Sequence, residues 1–121
     1  MQTLEKRSSE SGALYDIDCS IFLPIGVTII GTPTVTPEPV TTPPITVGVV
    51  YVNTLATTYT DAYGSTRTVP AGQALQVALS GGSIPSNAQV QEYLLQCKFV
   101  TSRAEQLEAT VRLRVIDTPA P

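Results

Sequence analysis

From Val90 to Ile116 the chain alternates apolar and polar residues through two successive runs, and few folds tolerate that pattern. In the first run Tyr93, Leu95, Cys97 and Phe99 share one face, while Glu92, Gln96 and Lys98 stand among Leu94 and Val100 on the other. In the second, Leu107, Ala109, Val111, Leu113 and Val115 alternate with Glu108, Thr110, Arg112 and Arg114. A helix would repeat its apolar stripe every three or four residues, so this sustained alternation points to two strands. A short polar connection at 102–104 joins them into a long amphipathic hairpin with one wet face. The Gln, Glu and Leu of residues 88–97 favour helix, which is the alternative for that stretch alone.

The remainder reads as shorter strands cut by turn residues. Tyr15, Ile17 and Cys19 alternate with Asp16 and Asp18, and Pro24 and Gly26 mark a turn. Residues 27–36 follow as a second strand, which Pro33 confines to a sheet edge because proline cannot donate to a ladder. The prolines of 37–44 predict an extended loop or an edge crossing between sheets. Residues 45–53 are so uniformly apolar that they predict a strand covered on both faces. Residues 54–60 alternate weakly, turn chemistry follows at Asp61, Tyr63, Gly64 and Ser65, and 66–69 make a short strand. Leu75, Val77 and Leu79 form one face of a strand that Ser80-Gly81-Gly82 ends, and Pro85-Ser86-Asn87 makes the next corner. The expected fold is therefore an all-β sandwich of about seven or eight strands with Greek-key connections. Residues 1–13 read as a flexible arm, 14–117 as the domain and 118–121 as a tail, within a chain of 121 residues that holds one core.

Charge narrows the function. Only 14% of residues are charged, against about 25% in a typical domain. The formal net charge is −3 and the seven basic residues are scattered, which argues against a nucleic-acid partner. Residues 1–13 lack the apolar core of a secretory signal, and the longest apolar run, 21–30, is broken by Pro24, Gly26 and Thr28. A soluble product made in the cytoplasm is expected, without a membrane partner. Such a compartment keeps Cys19 and Cys97 as buried free thiols, the alternative being a bridge across the sandwich core.

Chemistry-bearing constellations are sparse. The chain contains no histidine, which removes the commonest general base and metal ligand. Asp16 and Asp18 are the paired carboxylates and share a strand face, but a calcium site requires more oxygen ligands than this segment supplies. Their expected role is an exposed face or a hydrogen-bonded turn. Glu105 and Glu108 are expected to pair with Arg103, Arg112 or Arg114 on the surface. No serine, threonine or lysine stands beside a base that would activate it. Neither an enzymatic activity nor a cofactor, a metal or a small-molecule substrate is expected.

Two groups of segments, taken in order, resemble a family of small tailed-phage virion proteins, the phage fibre–tail adaptor proteins. The first is Leu4-Glu5-Lys6 followed by Leu14-Tyr15-Asp16-Ile17-Asp18-Cys19-Ser20. It is similar to that family's charged arm and Tyr-x-Ile-Asp-Trp-Ser strand, with Cys19 in place of the tryptophan. The second is Val77-Ala78-Leu79-Ser80-Gly81-Gly82 and then Thr110-Val111-Arg112-Leu113-Arg114-Val115. It resembles the family's Leu-Ser-Gly-Gly turn and the hairpin closing on Leu-Arg-Val. The likeness covers about half the chain, and the proline-rich middle and the stretch 54–68 are longer than the family's spacer. The resemblance implies an immunoglobulin-like antiparallel sandwich and an adaptor that joins tail and fibre components in a virion assembled in the host cytoplasm. Its partners would be other virion proteins of tail, fibre or capsid, together with further copies of itself. A capsid decoration protein is the alternative function. The expected partner contacts are Leu4, Glu5 and Lys6 in the arm, Pro37, Pro39, Pro43 and Pro44 in the proline-rich segment, and the sheet edges.

Overall fold

The computed structural model describes residues 2–7, 12–41, 44–61, 63–82 and 90–116. Among the described residues nine strands follow one another. They are β1 (Thr3–Arg7), β2 (Ala13–Asp18), β3 (Ile29–Glu38), β4 (Ile45–Val52), β5 (Thr57–Thr60), β6 (Thr66–Val69), β7 (Ala74–Gly81), β8 (Val90–Thr101) and β9 (Gln106–Ile116). A 3-10 turn, Ser20–Phe22, follows β2. Four strands form one sheet in the order β1-β9-β8-β3, three form a second in the order β2-β7-β4, and β5 and β6 make a separate hairpin.

The hairpin β8–β9 is the centre of the larger sheet. Its register runs without a break from Val90↔Ile116 to Val100↔Gln106, and its inward residues Tyr93, Leu95, Cys97, Phe99, Val111, Leu113 and Val115 are buried. Leu75, Val77 and Leu79 of β7 and Ile17 of β2 enter the same core from the smaller sheet. Each such side chain contributes about 1.5–3 kcal/mol by leaving water. The fold is thus an all-β sandwich built on one core. Residues 90–97, where helix was the alternative, are strand.

The turn between β8 and β9 closes through Thr101, whose N–H donates to the Glu105 carbonyl at 2.8 Å. The Thr101 hydroxyl oxygen accepts from the N–H groups of Arg103 and Glu105. Buried amides tie the ends of the smaller sheet. Asn53 accepts from the Ala74 N–H and donates to the carbonyls of Leu55 and Pro70, and Gln73 donates to the Val27 carbonyl. Each satisfies backbone groups that would cost about 1–3 kcal/mol if buried unpaired.

The turn after β7 explains the glycine pair. Gly81 and Gly82 both have left-handed φ, of 75° and 91°. A Cβ at Gly81 would strike the Pro44 carbonyl oxygen, and one at Gly82 would come within 2.7 Å of Ile45 Cδ1. The close approach lets the Gly82 N–H donate to the Pro44 carbonyl at 2.9 Å, which fixes the start of β4.

Three sequence expectations need correction. Residues 3–7, expected within a flexible arm, form β1, which pairs in parallel with β9; residues 1 and 8–11 lie outside the described residues. The strand expected to include Cys19 ends at Asp18 and gives way to the 3-10 turn. β4, expected to be covered on both faces, is an edge strand with Val49 and Tyr51 exposed. Its valines 47, 50 and 52 face inward, opposite Leu79, Val77 and Leu75. The predicted edge position of β3 and the crossing from one sheet to the other after it are both present.

Candidate interaction surfaces

The outer face of the larger sheet carries a row of charges. Glu5, Arg114 and Glu92 lie directly opposite one another on β1, β9 and β8. Arg114 donates to Glu5 at 3.2 Å and approaches Glu92 at 3.8 Å, and Arg112 approaches the other Glu92 oxygen at 3.8 Å. Lys98 and Glu108 face each other further along. Opposite charges at cross-strand positions are favourable, though exposed pairs contribute only about 0–1 kcal/mol each. The expected surface pairs are therefore redistributed. Arg103 pairs with Glu105 at 3.5 Å as anticipated, but Arg112 and Arg114 turn to Glu92 and Glu5.

Beside this row lies a groove of about 770 Å³, walled by Glu5, Glu92, Arg112 and Arg114 on one side and by the β5–β6 hairpin on the other. The hairpin is held by Asp61. Its Oδ1 accepts from the N–H groups of Tyr63 and Ser65, and its Oδ2 accepts from Arg67 at 2.8 Å. The Arg67 guanidinium, followed by those backbone donors, holds the Asp61 carboxyl below the usual carboxylate range. Tyr59 docks the hairpin on the body by donating to Asp18 Oδ2 at 2.7 Å. Burial and that hydrogen bond push its phenol up to about 12, so it stays protonated at neutral pH. Asp18 Oδ1 accepts from the Ser20 N–H and hydroxyl, and Asp16 Oδ1 accepts from Gln76 at 3.0 Å. Both aspartates, considered from sequence as a cation pair, therefore serve internal hydrogen bonds. Among the described residues no group of three His, Cys, Asp or Glu side chains is placed to hold a metal ion.

The outer face of the smaller sheet is different. Leu14, Ala78 and the Gly48–Val49 pair lie in one row, and Asp16, Gln76 and Tyr51 in the next. Leu14 is 67% exposed, Val49 64% and Tyr51 57%. From Pro39 to Thr60 the chain carries no charged residue.

The two thiols, Cys19 and Cys97, are free and fully buried. Burial pushes both up to about 12, and the neighbouring Cys97 adds to the effect on Cys19. Protonated, enclosed thiols are poor nucleophiles.

The residues expected to contact partners are dispersed. Glu5 is exposed within the charged row, and Leu4 is half-buried against the core. Lys6 points inward, fully buried, and its Nζ donates to the Arg7 carbonyl at 3.0 Å. Its assignment as a surface contact is corrected: the side chain lies on the same strand face as Leu4, and its stem packs inside. Pro37 is half-buried in β3 opposite Leu95, while Pro39 and Pro44 are exposed. Pro43 lies outside the described residues. Leu14, Val49, Tyr51 and the groove wall at Tyr59 were missed. A charge-free run over an edge strand was the available signal for Val49 and Tyr51, whereas Leu14 stands on β2 beside Asp16 and Asp18. Comparison with protein-family models, with curated proteins and with solved structures returned no match.

Proposed function

We propose that the chain is a non-enzymatic virion structural protein of a tailed phage, an adaptor joining tail and fibre components by protein–protein contact. The observation that carries this reading is how the resembling segments are paired. Leu4-Glu5-Lys6 lies in register beside Leu113-Arg114-Val115. Leu14-Tyr15 lies beside Val77-Ala78, in the strand that runs into the Leu-Ser-Gly-Gly turn. Segments separated by about half the chain or more thus form two structural pairs, which supports treating them as one ordered motif set rather than four short coincidences.

Strand order supports the same reading. The orders β9-β8-β3 and β2-β7-β4 correspond to strands G-F-C and B-E-D of an immunoglobulin-like sandwich, with β5–β6 added between D and E. The internal use of Asp16, Asp18 and Asp61, and the buried protonated thiols, favour a scaffold over a catalyst. The groove, the neutral sheet and the exposed prolines supply contact surface for tail, fibre and sister subunits. Separating tails from heads of the phage particle and quantifying this chain by mass spectrometry tests the proposal. Recovery with tails is expected; recovery with heads would make it a decoration protein, and absence from both would end the virion reading.

A further inference from the structure

Among the described residues the two sheets have four outer edges, and three of them are guarded against further pairing. β1 is five residues long and carries Glu5, Lys6 and Arg7. β2 carries Asp16 and Asp18. β3 contains Pro33 and Pro37 and loses register between Ile30 and Thr34. Charges, prolines and interrupted ladders are the devices by which natural sheets refuse an added strand. β4 has eight residues with neither a charge nor a proline, and its one irregularity lies between Val47 and Val50. That irregularity leaves the stretch from Val50 to Val52 regularly paired to β7, with its opposite side at the margin of the sheet.

We infer that β4 is a self-association edge, at which two copies of the chain pair antiparallel about a two-fold axis to make one six-stranded sheet. The charge pattern selects a second copy as the occupant. Each chain carries −3, so identical copies repel wherever acidic surface meets acidic surface. The edge from Ile45 to Val52 brings no charge to such a contact, and the 22 residues from Pro39 to Thr60 are uncharged around it. A charged partner strand would find no counter-charge there. An isologous contact needs a self-complementary row, and the exposed Thr46, Val49 and Tyr51 supply one. Threonine, valine and tyrosine are favourable neighbours across antiparallel strands. Val49 and Tyr51 of the two copies would then lie on one outer face with Leu14 and Ala78.

The inference gives a specific edge to the self-association in the proposed function, yet it is testable on the isolated protein. Its failure would leave the particle fractionation unaffected, and the converse also holds. Sedimentation velocity over a wide dilution series should show a monomer–dimer equilibrium. Val49→Lys and Tyr51→Lys, both at exposed positions, should each weaken the dimer by about tenfold or more, since like charges face across the axis. Leu14→Lys, on the same outer face but at the opposite edge, should leave the dimer intact. A monomer at every concentration would overturn the inference. So would a dimer that survives both β4 substitutions, or one that Leu14→Lys abolishes, which would indicate stacked faces. Amide hydrogen exchange on the unaltered chain removes any dependence on variant folding. Protection of the β4 amides should rise with protein concentration while that of β3 stays constant; concentration-independent β4 exchange would refute the pairing.

Discussion

The outer face of the four-stranded sheet carries Glu5, Glu92, Arg112 and Arg114 in contact across three strands, whereas that of the three-stranded sheet presents Leu14, Val49 and Tyr51. The acidic groups of the smaller sheet, Asp16 and Asp18, stand at its β2 margin and are occupied by Gln76, Tyr59 and Ser20. Both sheets share one core, so stability does not explain the difference. Charge on one face keeps it solvated; the exposed apolar residues of the other leave a surface suited to contact with protein. The charged and the apolar surfaces thus lie on opposite sides of one sandwich.

With one shared core, the two sheets fold as a unit. Leu75→Ala in the smaller sheet and Leu95→Ala in the larger remove fully buried side chains, and each should cost about 2–5 kcal/mol in urea unfolding. Both should retain a single cooperative transition. Two separate transitions would break the comparison, because the faces would then belong to independent units.

Alkaline pH probes the shared core differently. The thiols of Cys19 and Cys97 are raised to about 12 from an ordinary value of 9.0. The unfolded chain therefore releases those protons first as pH rises. Stability from the neutral thiols is fully present below about pH 9 and falls progressively toward about pH 12, by several kcal/mol at most. Tyr59, also raised to about 12, adds to the same slope. A C19A/C97A variant should show a shallower alkaline loss in denaturant titrations; an unchanged slope would mean that the thiols are not enclosed.

The turn closing on β4 gives a smaller effect. Gly81→Ala places a Cβ against the Pro44 carbonyl in a left-handed backbone, and it should cost about 1–3 kcal/mol. Gly64, with φ of 80° but nothing within 4 Å of its Cβ, provides the control, and Gly64→Ala should cost about 1 kcal/mol. Equal losses would show that packing against β4 contributes nothing. The smallest change is expected in the charged row. Arg114→Ala should cost about 0–1 kcal/mol and less at high salt, and a larger, salt-insensitive loss would mean that the row is structural.

The parts of the fold legible in sequence were those with long-range alternation. β8 and β9 carry more than ten residues each and bury one face only, so their period is plain. Pro33 marked β3 as an edge for a local reason. β1 was not legible because only Leu4 is apolar, and the inward position after it is occupied by Lys6. β4 was misread because valine follows valine at 49–50, where a bulge opposite Ala78 hides the alternation of an edge strand. The groove was beyond any local pattern: Asp18, Tyr59 and Arg112 come from three distant segments joined only by tertiary packing. The aspartates illustrate the same limit. Their shared face was readable, but their partners Tyr59 and Gln76 lie 41 and 60 residues away.

The proposed role in place on a tailed-phage particle can be seen in a cryo-electron microscopy reconstruction of that particle. Repeated copies of the sandwich are expected at the tail, with the Leu14, Val49 and Tyr51 face covered by neighbouring protein. Copies confined to the head, or tail copies with that face bare to solvent, would contradict it.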